Sequence, residues 1–127
     1  MGLQSSTQVS FLYVADRDRA LDFYCQVLGL TLQSSDAFGD FIDTGRGLIR
    51  MTVMPNRSAS DHPVLGWEVK NIQAAVRDLG ERGVEFSIFD GMGQDEHGIW
   101  TSPDNGNQVA WFSDPEGNVL SLSSTSN

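Results

Sequence analysis

Arg50 is the residue of sharpest chemical character, an arginine in the middle of the strand-like run Leu48 to Val53. If alternation turns it inward, its charge must meet an anion, because an unpaired buried cation is costly. Glu68, at a matching inward position further along the chain, is its natural partner. Such a pair serves either structure alone or a ligand, and in the second case Arg50 favours a carboxylate or phosphate-like group. The stretch 90–98 carries Asp95, Glu96 and His97 between glycines, with His97 one of only two histidines in the chain. It reads either as a lid bearing an acid or base or as a solvated loop. Glu68, His97 and Tyr13 are the weak catalytic candidates, and Trp100 could stack on a planar ligand across from Trp111 or simply pack. A metal site drawn from His62, Glu68, Asp95, Glu96 and His97 needs three of them to converge, and no His-x-x-x-His spacing supports that. Cys25, the only cysteine, sits inside a helical pattern and reads as a small buried hydrophobe rather than a nucleophile. No Ser-His-Asp order or phosphate-cradling glycine loop stands out.

The elements that must position these residues come in two similar sets. Gln8 to Val14 alternates as a strand, Asp16 offers an N-cap, and Ala20, Leu21, Tyr24, Val27 and Leu28 form a helical stripe closed by Gly29. Leu30 to Gln33, Asp40 to Asp43 and Leu48 to Val53 follow as short strands separated by turn formers, so residues 7–54 read as βαβββ. Residues 55–61 are polar and aperiodic, a linker. The pattern then restarts over 62–124. Val64 to Val69 reads as a strand, Asn71 as a cap, Ile72, Ala75, Val76 and Leu79 as a stripe, and Gly83 as a stop before the strand-like Val84 to Phe89. Val14, Ala20, Leu21 and Tyr24 map onto Val69, Ala75, Val76 and Leu79 at a constant offset of 55. A strand at Ile99 to Ser102 and a final hairpin complete the second copy. In that hairpin Val109 to Phe112 and Val119 to Leu122 flank Asp114-Pro115-Glu116-Gly117, where Pro115 presets φ, Asp114 bonds the backbone ahead and Gly117 suits the last turn position. Each copy is too small to bury its own sheet face, which must be covered by the other copy or by a second chain. The fold class expected is α+β, two βαβββ modules forming cupped mixed sheets in one domain over 1–127.

At 127 residues the chain has enough length for a real core without disulfides. Its net charge of −9, from 17 acidic and 8 basic residues, repels nucleic acid and anionic lipid and favours cationic ligands, or serves solubility. The opening MGLQSSTQ has no apolar run and no window approaches a membrane span, so a cytoplasmic location and no membrane partner are expected. Gly2 with Ser6 matches an acylation pattern and Asn56-Arg57-Ser58 a glycosylation acceptor, but neither has the supporting context.

The duplicated unit, with VADRDRALDFYCQVLGL at the first helix and WFSDPEGNVLSL at the last hairpin, resembles the vicinal oxygen chelate superfamily, the group of glyoxalase I, extradiol dioxygenases, and fosfomycin and bleomycin resistance proteins. The resemblance spans about Gln8 to Ser123. It implies paired modules, commonly a homodimer, with each cupped sheet enclosing a small-molecule site. Metal-dependent members place ligands in the first and last strands of each module. Here those positions hold Val9, Arg50, Val64 and Ser121, none of them a usual ligand for a divalent ion, so no metal and no other cofactor is expected. The bleomycin-resistance branch, by resemblance, needs none.

Alternation turns Val9, Phe11, Tyr13, Leu48, Arg50, Thr52, Val64, Gly66, Glu68, Val109, Trp111, Val119 and Ser121 toward the cavity. The ligand-binding set expected from this lining is Phe11, Tyr13, Arg50, Glu68, Trp100, Trp111, Val119 and Ser121. Three readings follow. The first is a metal-independent protein, dimeric, holding an aromatic or amphipathic molecule between the modules. The second is a lyase, isomerase or dioxygenase-like enzyme using an unconventional metal site or acid and base residues. The third is a closed scaffold whose edge serves another protein.

Overall fold

The computed structural model describes residues 2–125. The chain divides into two compact units, Met1–Ser58 and Ala59–Asn127, and the division falls inside the polar stretch 55–61. The first unit opens with a short 3-10 turn, Gly2–Ser5, followed by β1 (Val9–Val14), α1 (Arg17–Leu21), β2 (Thr31–Ser35), β3 (Gly39–Asp43) and β4 (Leu48–Val53). Its sheet runs in the order β1-β4-β3-β2, with β1 parallel to β4 and the other pairs antiparallel. The second unit contains β5 (Pro63–Glu68), α2 (Ile72–Glu81), β6 (Trp100–Thr101), β7 (Gln108–Ser113) and β8 (Val119–Ser124). Its order is β5-β8-β7-β6, again with the first pair parallel. The two copies read in the sequence thus share one strand topology.

The helix caps repeat as well. Asp16 accepts a hydrogen bond from the Arg19 amide at 3.1 Å, and Asn71, fifty-five residues on, accepts from Ala74 at 3.0 Å. Each satisfies a backbone donor that the first helical turn leaves unpaired. Gly29 and Gly83, with φ of 79° and 96°, turn the chain out of each helix. The first helical stretch departs from a single α-helix: after α1 it widens into a π-helical run, Asp22–Val27, in which the Leu28 amide bonds the Phe23 carbonyl. This register buries the neighbours Phe23 and Tyr24, whose rings meet edge to face at 5.2 Å.

Each sheet has one buried face. In the first unit Leu12, Val14, Ile42, Ile49 and Met51 are buried, together with Ala20, Phe23 and Tyr24 of the helical stretch. In the second Ala110, Phe112, Leu120 and Leu122 are buried, together with Ile72 and Val76 of α2. Burial of each Val, Leu, Ile, Met or Phe side chain among these contributes about 1.5–3 kcal/mol. The strand-like stretch Val84 to Phe89 does not form a strand. Its sheet pairing among the described residues is limited to an isolated bridge, Phe86 to Phe112, and a Ser87 amide bond to the Trp111 carbonyl at 2.8 Å. The reason lies in Gln94, whose side chain takes the backbone groups a further ladder would use.

Cys25 is half-buried, and burial pushes its thiol pKa up, which keeps it protonated and unreactive at neutral pH. No helix among the described residues is long and apolar enough to cross a membrane.

Candidate functional site

The second unit presents a cavity of about 370 Å³, lined by residues that include Trp111, Phe89, Met92, Val119, Asp61 and Ser113. This volume lies within the range of small-molecule pockets, and the lining has their usual character, apolar and aromatic with a few polar groups. Trp111 and Val119 reach it from β7 and β8, on the sheet face opposite Phe112 and Leu120. Ser121 is the cross-strand partner of both Trp111 and Gly66, so all three share that face. A Cβ at Gly66 would lie 2.6 Å from Ser121 Oγ, so the glycine lets the hydroxyl sit close to the strand. Trp100 pairs with Val109, one row beyond Trp111 on the same face.

The opposite wall comes from the 87–98 segment, and Gln94 holds it. Its Oε1 accepts the Phe89 amide at 2.7 Å, and its Nε2 donates to the Ser87 carbonyl at 2.9 Å and the Gly98 carbonyl at 2.7 Å. With this brace, Phe89 stands edge-on to Trp111 at 5.9 Å between ring centroids. Asp95 closes the same loop, its Oδ1 accepting the amides of His97 and Ile99, both at 2.9 Å. The Asp95 carboxylate is therefore a turn former.

His97 is 67% exposed at the side chain, with Nε2 3.6 Å from the Glu96 carboxylate, and is not among the described residues that line the cavity. His62 is exposed, with Nδ1 3.2 Å from the Pro63 carbonyl. Glu68 is exposed too. No three His, Cys, Asp or Glu side chains among the described residues are grouped to hold a metal ion.

On the open face of the first sheet, strand register sets Phe11, Arg50 and Phe41 in one row, with Tyr13 beside Thr52 and Val9 beside Leu48 in the flanking rows. This face is accessible: Phe11 is 63% exposed. The Arg50 guanidinium lies over the Phe41 ring at 4.8 Å from its centroid. Its carboxylate partner is Asp36, at 3.0 Å from Nη2 to Oδ1, and not Glu68 as the sequence pattern led us to expect. The cause is local. Asp36 begins the β2–β3 turn, where its Oδ1 also accepts the Phe38 and Gly39 amides at 2.8 and 3.0 Å, placing it next to β4. The Arg50 bond, with the two amide bonds, holds the Asp36 carboxyl below its ordinary value.

On the other side of the same turn, Arg17 bonds both oxygens of the buried Asp40 at 2.9 Å and donates to the Asp36 and Gly39 carbonyls at 2.7 and 2.8 Å. Ser35 Oγ adds a 2.6 Å bond to Asp40. Arg17, Asp40 and Gln94 were not picked out from the sequence. The one available signal was an aspartate at a core-facing position of β3, which demands a partner.

The positions at which the resemblance would place metal ligands hold Val9, Arg50, Val64 and Ser121. Two of these offer no donor atom, one is a cation already bonded to Asp36, and one is a lone hydroxyl. This set does not fit a divalent ion.

Two βαβββ units with matching topology and open aromatic sheet faces define a protein of the glyoxalase and bleomycin-resistance fold. The chain belongs to the Glyoxalase/Bleomycin resistance protein/Dioxygenase superfamily, whose family model matches residues 6–122. Similar solved structures include a glyoxalase/bleomycin resistance protein/dioxygenase from Alicyclobacillus acidocaldarius, at 16% identity and TM-score 0.76, covering 100% of this chain and 96% of that one. The glyoxalase family protein from Enterococcus faecalis is 16% identical with TM-score 0.76, covering 95% and 98%. TnmS3, an antibiotic binding protein from Streptomyces sp. CB03234, is 26% identical with TM-score 0.69, covering 99% of each chain. No curated protein matches this chain.

Proposed function

We propose that the chain binds a small aromatic or amphipathic molecule without the family metal, and that the Trp111 cavity of the second unit takes the aromatic part. The observation that carries this reading is a cavity of about 370 Å³ walled by Trp111 and by Phe89, whose position Gln94 secures with three hydrogen bonds. Among the described lining residues Asp61 is the one charged side chain, which with the net charge of −9 favours a neutral or cationic guest there. The likeness to TnmS3, an antibiotic binding protein, supports binding over turnover. No imidazole lines the cavity among its described residues, so acid and base chemistry by His97 has no support there. The donor set at Val9, Arg50, Val64 and Ser121 supports independence from metal. We assign the protein to the cytoplasm and to a homodimer, the latter because Phe38 and Ile88 leave apolar surface exposed on one chain.

The test is titration with N-phenyl-1-naphthylamine, a neutral aromatic probe whose fluorescence rises in an apolar site. Trp111→Ala should weaken binding about tenfold or more, from lost burial and ring contact. Gln94→Ala should weaken it several-fold by releasing Phe89. Unchanged affinity in both variants would refute the cavity assignment, and mass spectrometry of co-purified small molecules then identifies the native guest.

A further inference from the structure

We propose a second ligand site on the first unit, where Arg50 receives the carboxylate of a planar aromatic acid whose ring lies along Phe11. The argument begins with an unmet hydrogen bond. Arg50 Nη2 is bonded to Asp36, but Nη1 is buried and has no partner among the described residues. A buried guanidinium N–H left bare is unfavourable, and a carboxylate matches the planar fork with two parallel bonds. Asp36 supplies only one of these: its Oδ1 accepts from Nη2 while also accepting the turn amides of Phe38 and Gly39, and Nη1 is left without a bond among the described residues.

The competitor is replaceable. The Asp36 side chain is 51% exposed, so it can reach water without a desolvation cost, while the Arg50 side chain is 15% exposed and stays seated over Phe41. The strand row adds shape: Phe11, Arg50 and Phe41 are consecutive cross-strand partners on one face, setting an exposed aromatic ring beside the guanidinium. The family metal position thereby carries inverted charge. Where a carboxylate would help hold a cation, a cation stands ready for a carboxylate. Its residues belong to the first unit, whereas those lining the Trp111 cavity belong to the second.

The experiment follows the Arg50 Nε–H signal and the Phe11 and Phe41 amides by heteronuclear NMR during titration with 2-naphthoate. Saturable shifts at all three are expected, with 2-naphthamide, which lacks the charge, binding at least about tenfold more weakly. Asp36→Asn keeps an oxygen for the turn amides but removes the competing charge, and should tighten 2-naphthoate several-fold. Arg50→Lys keeps the charge but loses the fork, and should weaken it about tenfold. Saturable 2-naphthoate binding in the absence of N-phenyl-1-naphthylamine binding, or the reverse, separates this outcome from that of the cavity assignment. Equal binding of naphthoate and naphthamide, equal binding by Arg50→Lys, or no tightening in Asp36→Asn would each overturn the proposal.

Discussion

At the scale of single residues, the β7–β8 turn shows one side chain setting a backbone path. Asp114 Oδ1 accepts the Glu116 and Asn118 amides at 2.8 and 2.9 Å, and Oδ2 accepts Asn118 Nδ2 at 2.8 Å. Both residues are buried, so losing one deprives the other of buried hydrogen bonds. Asp114→Ala should therefore cost about 2–3 kcal/mol, read as a lowered urea midpoint at unchanged slope. The sequence announced this turn through Asp-Pro-Glu-Gly, and Gly117 does adopt a positive φ of 84°. It did not announce Asn118, because a bond between two side chains depends on how the turn closes. Arg50 divides in the same way. Alternation is a local property, so its face was legible; its partner was not, because Asp36 reaches it only through the β2–β3 turn and the β3–β4 register.

At the scale of elements, the β2–β3 hairpin is held by two arginines, Arg17 through Asp40 and Arg50 through Asp36. Neither bond is visible to periodicity, which registers apolar spacing and says nothing of which charges meet. The Asp36 carboxyl, depressed below its ordinary 3.8 by the Arg50 bond, stabilises the folded hairpin fully above that ordinary value. That stability fades as pH falls through the lower folded-state value, when the carboxylate takes up a proton. Amide exchange at Phe38 and Gly39 should accordingly gain an acid-dependent opening below about pH 4. Asp36→Asn should show weaker pH dependence there. The 84–89 stretch teaches the converse: its apolar residues read as a strand, yet Gln94 occupies the Ser87 and Phe89 backbone groups. A side chain several residues away had replaced a ladder partner.

At the scale of the whole molecule, the duplication was the most legible feature, because caps, stripes and stops recur in order and local signals reinforce one another. The proposed dimer predicts a light-scattering mass of twice the 13.9 kDa chain. Exhaustive chelation should leave N-phenyl-1-naphthylamine affinity unchanged, and elemental analysis should find no stoichiometric metal. Because both sheets share one strand order, the row Phe11, Arg50, Phe41 has its counterpart in Gly66, Ser121, Trp111. An aromatic ring occupies one position in both rows, while the middle residue is a guanidinium in one and a hydroxyl in the other, and the outer one a phenyl in one and a hydrogen in the other. The two halves differ in these side chains while keeping one strand order. A lineage built on this plan can revise what one half recognises while the other keeps its older preference, so chemical novelty need not put foldability at risk.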